Sequence, residues 1–390
     1  VSARADSPGT TVTATAARPS PGSSAPRLFG SAAGPWLFGR QTDLLVFGGS
    51  ALLSLSLLAV GAALGILHAD TPPWVWIGCV VLIDVAHVWS TAFRVYLDPA
   101  ELGRRPLLYV GMPLVCYGLG VMAHAVSAAF FWRVLAYVAV YHFVRQQYGW
   151  VALYRRRAGE TDPLDRTLDT ATIYAATLYP LLYWHAHLPR RFEWFVSGDF
   201  VAGLAAPVVE LLTPVYWGLL LGFCARQVQR AVTGGPVNPG KVLVVLTTWI
   251  CWHLGIVALD SDYAFTVTNV IIHGVPYMAL TYRHARMRSA EPRSPASLRL
   301  PLRAGALGFL VLIATVALLE EGLWDRLVWH DQPWLFGDGR AVSADFLVFL
   351  VPLLALPQAL HYALDGFIWK VRPENPTLAR ELDPAETREP

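Results

Sequence analysis

Five histidines, His87, His142, His253, His273 and His361, each stand well inside a long apolar run. Lipid excludes such side chains: an ionisable residue at membrane depth costs roughly 2 kcal/mol or more, so several facing one interior mark a functional site. The spacing around them is informative. Asp84 and His87 in IDVAHVW are an i, i+3 pair on one helical face. Tyr141, His142, Arg145 and Gln146 crowd into YHFVRQQYGW, and Asn269 and His273 in TNVIIHGVPY are an i, i+4 pair followed by Gly274 and Pro276. Gln358, His361 and Asp365 form one stripe behind Pro357, while His253 in WICWHLG stands nearer a helix end.

Neutral imidazoles and carboxylates are the ligand set of iron, zinc, copper or manganese. The expected ligands are therefore Asp84, His87, His142, His273, His361 and Asp365, holding one or two ions, iron first among them. His253, Asn269 and Gln358 are expected to orient those ligands from behind. Arg145, Tyr141 and Gln146 are the expected catalytic groups, with Arg145 binding a substrate head group or a developing anion, and Tyr148 and Tyr362 are further hydrogen-bond donors. A lone intramembrane histidine is more often a helix-bridging residue, but four helices each bringing one with a polar neighbour favour a shared site. His124, His185, His187, His284 and His330 carry no such expectation. Glu210 is expected to be protonated or to pair with Arg145, and Arg94 to snorkel to the inner interface. Cys79, Cys116, Cys224 and Cys251 lie in apolar runs without CxxC spacing, which argues for packing and against structural zinc or iron–sulfur.

The elements that must position these groups are legible from composition. The chain is 55% hydrophobic and 15% charged, with 15 Trp in 390 residues, outside the range of a soluble domain. Runs near 43–68, 73–97, 106–129, 131–154, 167–188, 200–224, 241–260, 263–282, 303–320 and 345–369 each approach the roughly 20 residues that span a bilayer. Lys and Arg concentrate in alternate connections, which predicts an all-α, polytopic helical bundle of about ten spans with both termini cytoplasmic, in a bacterial inner membrane. In that topology the second, fourth, eighth and tenth helices run the same way, and residue counts put their histidines within roughly 9 Å of depth. Residues 1–38, rich in Ser, Pro, Ala and Gly, read as a disordered tail without a signal-peptide pattern, 39–372 as one transmembrane domain, and 373–390 as a loose tail. The aromatics of 190–200 and 324–344 read first as an interfacial belt and second as a lid. A net charge of +2 says little about partners, no basic stripe with interleaved aromatics suggests nucleic acid, and no nucleic-acid partner is expected. The expected partners are lipid, a lipid-soluble substrate and an electron donor.

The Asp84/His87 pair and histidines spread over separate helices resemble the polytopic histidine-dependent membrane oxygenases, most nearly the bacterial and archaeal carotene-cleaving dioxygenases. That resemblance implies iron held by His87, His142, His273 and His361, and a polyene or acyl substrate entering from the bilayer. The chain departs from these families in having no HxxxH pair in its helices and no HxxHH box. Three classes stand at this point. The first is a metal-dependent oxidoreductase, oxygenase or desaturase in type, with a His/Asp-bound iron. The second is a haem b electron-transfer or quinone-reacting protein, against which Asp84 and Asp365 count. The third is a proton-coupled transporter with a relay of Asp84, Glu210, His142 and Arg145.

Overall fold

A computed structural model describes residues 35–371 together with Asn375 and Leu378. All regular structure among the described residues is helical. Ten long helices form the bundle: α1 (Arg40–Ala63), α2 (Pro73–Arg94), α3 (Pro106–Val126), α4 (Ala128–Arg157), α5 (Pro163–Ala186), α6 (Ala206–Val232), α7 (Pro239–Ala258), α8 (Asp262–Ser289), α9 (Ala306–Trp329) and α10 (Ala344–Ile368). Eight are long and apolar enough to cross a membrane. The other two, α4 and α5, are as long but carry Arg133, Arg145 and Arg155 to Arg157, and Asp165, Arg166 and Asp169.

Local chemistry sets the helix starts. Proline occupies the first turn of α2, α3, α5 and α7, where its missing N–H costs nothing. Ser127, Asp162, Asn238 and Ser343 accept first-turn N–H groups of α4, α5, α7 and α10. Two helices carry a wider π turn ahead of their histidine: Trp76–Val85 before His87 in α2, and Thr266–Val270 before His273 in α8. Such turns re-aim side chains and recur at functional sites.

Helix α8 is the central post, buried along most of its length, whereas α3 lies on the perimeter with Leu107, Leu114 and Met122 exposed. Close approach to α8 depends on glycine. A Cβ at Gly274 would stand 2.6 Å from Ile83 Cγ2, and one at Gly255 2.0 Å from Thr268 Oγ1, so no larger residue lets α2 and α7 come this near.

One end of the bundle is basic and held by ion pairs. Lys241 Nζ lies 2.8 Å from Asp169 and 2.5 Å from Glu160, Arg226 2.7 Å from Asp165, and Arg288 2.7 Å from Asp98. Arg94 does not snorkel. It is buried, 3.1 Å from Glu101, and its guanidinium also donates to Ile368 O; a partnered guanidinium has no need of the interface. In the short helix Pro99–Arg104, burial pushes the Glu101 carboxyl up, but the Arg94 charge, the Tyr109 hydroxyl and Arg104 outweigh it and hold its pKa below the usual range.

The packed unit extends past both expected boundaries. Trp36 and Leu37 are buried, and Asp43 accepts the backbone N–H groups of Leu37 and Phe38. Beyond α10, Asn375 donates to the carbonyls of Phe367 and Lys370 and accepts from Arg104 and Arg105, and Leu378 is buried. The remainder of the two expected tails lies outside the described residues.

Candidate metal centre

His87 on α2, His142 on α4, His273 on α8 and His361 on α10 meet at one point inside the bundle. All four are buried, and each offers a ring nitrogen within 4.8 Å of the others. The Nε2 atoms of His87 and His273 lie 3.2 Å apart, and those of His142 and His361 3.1 Å apart. The rings close a cycle, with centroids 4.5 to 5.1 Å apart around it.

The opposite ring edge of three imidazoles has an oxygen before it. His87 Nδ1 is 3.5 Å from Asp84 Oδ1, and His142 Nδ1 is 3.5 Å from Asp365 Oδ2. His361 Nδ1 is 2.8 Å from Thr91 Oγ1 and 3.9 Å from Asp365 Oδ1. Of these contacts only that of Thr91 is a hydrogen bond, but a carboxylate facing Nδ1 favours the hydrogen on that nitrogen, which leaves the Nε2 lone pair pointing inward. Lone pairs of neutral imidazoles 3.1 to 3.2 Å apart repel unless a proton or a cation lies between them. Metal–nitrogen bonds of about 2.1 Å at tetrahedral to right angles separate their nitrogens by about 3.0–3.4 Å. The donor set therefore fits one transition-metal ion.

A layer of polar side chains lies one turn further on, because each histidine is followed four residues later by a partner on the same face: Thr91, Gln146, Tyr277 and Asp365. The Tyr277 hydroxyl donates to Asp365 Oδ1 at 2.6 Å, is 3.1 Å from Thr91 Oγ1 and accepts from Trp369 Nε1. Gln146 Nε2 donates to His273 O at 2.9 Å. Phe143 stacks on the His273 ring at a centroid distance of 3.5 Å, and Tyr362 lies 4.9 Å from His142.

The expected site residues thus have different fates. The structure brings the four histidines together and sets Asp84 and Asp365 behind them at Nδ1, outside the converging Nε2 atoms. Gln146 holds backbone. Arg145 and Tyr141 point away from the centre and are exposed: Arg145 lies over the Tyr148 ring and donates to the Tyr174 hydroxyl, and Tyr141 is 66% exposed. Glu210 is exposed as well. His253 stacks with Tyr216 and Trp249, and its Nδ1 lies 3.2 Å from the Tyr216 hydroxyl. Sequence reasoning missed Thr91, Tyr277, Trp369 and Phe143. The i+4 spacing from His87 and His273 was the available signal for the first two.

Asn269 and Gln358 line a cavity of about 460 Å³ on the side of the histidines away from the basic end. Asp84, Phe143 and Tyr362 separate it from the imidazoles. Its walls include Trp194 and Phe195 from the 190–200 connection and Trp324 and Trp329 from the end of α9. Those aromatics enclose space, while Trp334 is 58% exposed. No protein-family model, no curated protein and no solved structure matches this chain, so its chemistry is read from this geometry alone.

Proposed function

We propose that the protein is an integral membrane, metal-dependent oxidoreductase of the oxygenase type, with one iron ion held by His87, His142, His273 and His361 and a lipid-soluble substrate. The convergence of four buried imidazoles, each with a ring nitrogen within 4.8 Å of the others, supports this reading. Zinc is commonly complete at four ligands, whereas iron held by the four imidazoles would have room for reactants. Iron bound there supplies one-electron chemistry with dioxygen, and an electron donor is the expected partner. The protein's own part is to fix the imidazoles through Asp84, Asp365 and Thr91, offset the ion's charge with carboxylates one layer out, and exclude water with Phe143 and Tyr362.

The geometry favours one ion over two, since four nitrogens around one point leave no bridging carboxylate among them. It disfavours haem, because rings closing a cycle at 4.5 to 5.1 Å leave no gap for a macrocycle between axial ligands. It also disfavours the relay of a transporter, because Arg145 and Glu210 face outward from the bundle while His142 faces in. We further propose that α4 and α5 cross the membrane with the other eight. His142 on α4 meets histidines carried at mid-length by apolar helices α2, α8 and α10. The basic end then faces the cytoplasm, and the cavity the opposite side.

Elemental analysis and visible spectroscopy of detergent-purified protein test the reading, beside His142→Ala and His361→Ala. The expected result is one iron per chain without a Soret band, reduced at least tenfold in either variant. Full metal content in both variants, or two ions per chain, would overturn it.

A further inference from the structure

On the side of the histidines toward the basic end, two oxidisable rings follow one another out of the site. The Tyr277 ring is buried and stands 4.8 Å from that of His361 and 5.8 Å from that of His87, centroid to centroid. The Trp369 ring comes next, 6.0 Å from Tyr277 and edge-on to it, and its Nε1 donates to the Tyr277 hydroxyl at 3.1 Å. Trp369 is the half-buried residue that follows α10. His284 lies 6.0 Å from its ring, Arg94 lies over it, and the exposed Lys370 is its neighbour in the chain. These contacts form an unbroken line from the imidazoles to the basic end.

A phenol gives up an electron at a moderate potential only when its proton leaves with it, and a carboxylate already hydrogen-bonded to the O–H permits this. Tyr277 has that partner, since its hydroxyl donates to Asp365 Oδ1 at 2.6 Å. The other rings around the histidines do not. Phe143, stacked on His273, has no hydroxyl, and Tyr362, 4.9 Å from His142, has no carboxylate hydrogen-bonded to its hydroxyl among the described residues.

We propose that Tyr277 and Trp369 form a one-electron relay between the metal centre and the basic end, which completes the reduction of a peroxide when no substrate is bound. The relay rests on the reading of the four histidines as an iron site, where one-electron and dioxygen chemistry takes place. Cleaving the O–O bond of a hydroperoxide to an alcohol and water, or of hydrogen peroxide to two waters, consumes two electrons and two protons. One electron comes from the ferrous ion. The second comes from Tyr277, whose hydroxyl proton passes to Asp365 as a tyrosyl radical forms. Trp369 then gives its Nε1 hydrogen, proton and electron together, to the phenol oxygen on which it already lies. The indole radical takes a hydrogen atom at the basic end from a reductant of the ascorbate or thiol class. Over the whole sequence one proton is drawn from the medium, the phenol's being the other.

The test is freeze-quench electron paramagnetic resonance on the purified full chain in nanodiscs, loaded with ferrous iron and mixed with hydrogen peroxide. A tyrosyl signal is expected from the wild type, identified by its altered splitting in protein made with ring-deuterated tyrosine. Tyr277→Phe should abolish it at equal iron content, and Tyr362→Phe should leave it unchanged. Trp369→Phe should keep the signal but slow its decay in ascorbate by about tenfold or more, which lost packing alone does not produce. That variant is the one to rely on if Tyr277→Phe does not fold or does not hold iron. No radical in the iron-loaded wild type, a signal of full size in Tyr277→Phe, or unchanged decay in Trp369→Phe would overturn the relay. Iron content separates the two readings: iron without the radical sinks only the relay, whereas a chain that binds no iron sinks the oxidoreductase and the relay with it.

Discussion

Asp365 is the side chain that ties the imidazoles to the rest of the protein. It faces Nδ1 of both His142 and His361 and accepts the Tyr277 hydroxyl. Replacing such an oxygen partner of a ligand usually costs 10–100-fold in metal affinity without removing a ligand. Asp365→Asn is therefore expected to weaken iron about tenfold or more in a chelator competition while the thermal midpoint changes little. An unchanged affinity would place Asp365 outside the site. At this scale, the spacing of Asp84 and His87 and of His361 and Asp365 corresponds to facing side chains, while Gln358 lines the cavity. Arg145 does not face the centre, although it is three residues from His142. Residues three apart diverge by about 60° around a helix, and in an all-apolar bundle the polarity of the sequence does not say which flank is interior.

Between elements, the site depends on how closely α2 and α8 approach. Gly274 faces Ile83 one residue beyond His273, and an added Cβ there would meet Ile83 Cγ2 at 2.6 Å and the Ile83 carbonyl oxygen at 3.2 Å. The oxygen is backbone, so the helices themselves must part. Overpacking of this kind costs about 1–3 kcal/mol, and here the strain moves His87 relative to His273. Gly274→Ala is expected to lower both the thermal midpoint and the iron content although it removes no ligand; its Cβ would also stand 3.5 Å from His87 Nδ1. Gly366→Ala on α10, where nothing lies within 4 Å, should do neither, and equal behaviour of the two would remove helix spacing as a determinant. Helix positions were largely legible, since length, apolarity and caps are local properties. The π turns of α2 and α8 were not, since no residue type in these segments marks them.

Over the whole molecule, the ends of α2 and α3 and, through Arg104, Asn375 beyond α10 are gathered by one carboxylate. Glu101 takes Arg94 from α2, Arg104 from its own short helix and the hydroxyl of Tyr109 on α3, while Arg104 reaches Asn375. Asn375 and Leu378 pack where a loose C-terminal tail was expected: a polar segment with few apolar residues is read as solvated, and two partners of Asn375, Arg104 and Arg105, lie 270 residues or more away in the chain. Removing one partner of a buried ion pair costs about 3–5 kcal/mol, so Glu101→Gln should lower stability by roughly that amount at pH 7. The sign with pH follows from the direction of its shift. A carboxyl whose folded pKa lies below its unfolded value, about 4.3, contributes fully above that value and loses its contribution as pH falls through the folded one. Thermal unfolding in detergent should then show a wide gap between wild type and Glu101→Gln from pH 7 to about 5, closing steadily below pH 4 as protonation makes the wild-type side chain as neutral as the glutamine. A gap that stays constant down to pH 3 would show that charge is not what Glu101 contributes, and would reassign the clamp to packing around Arg94 and Tyr109.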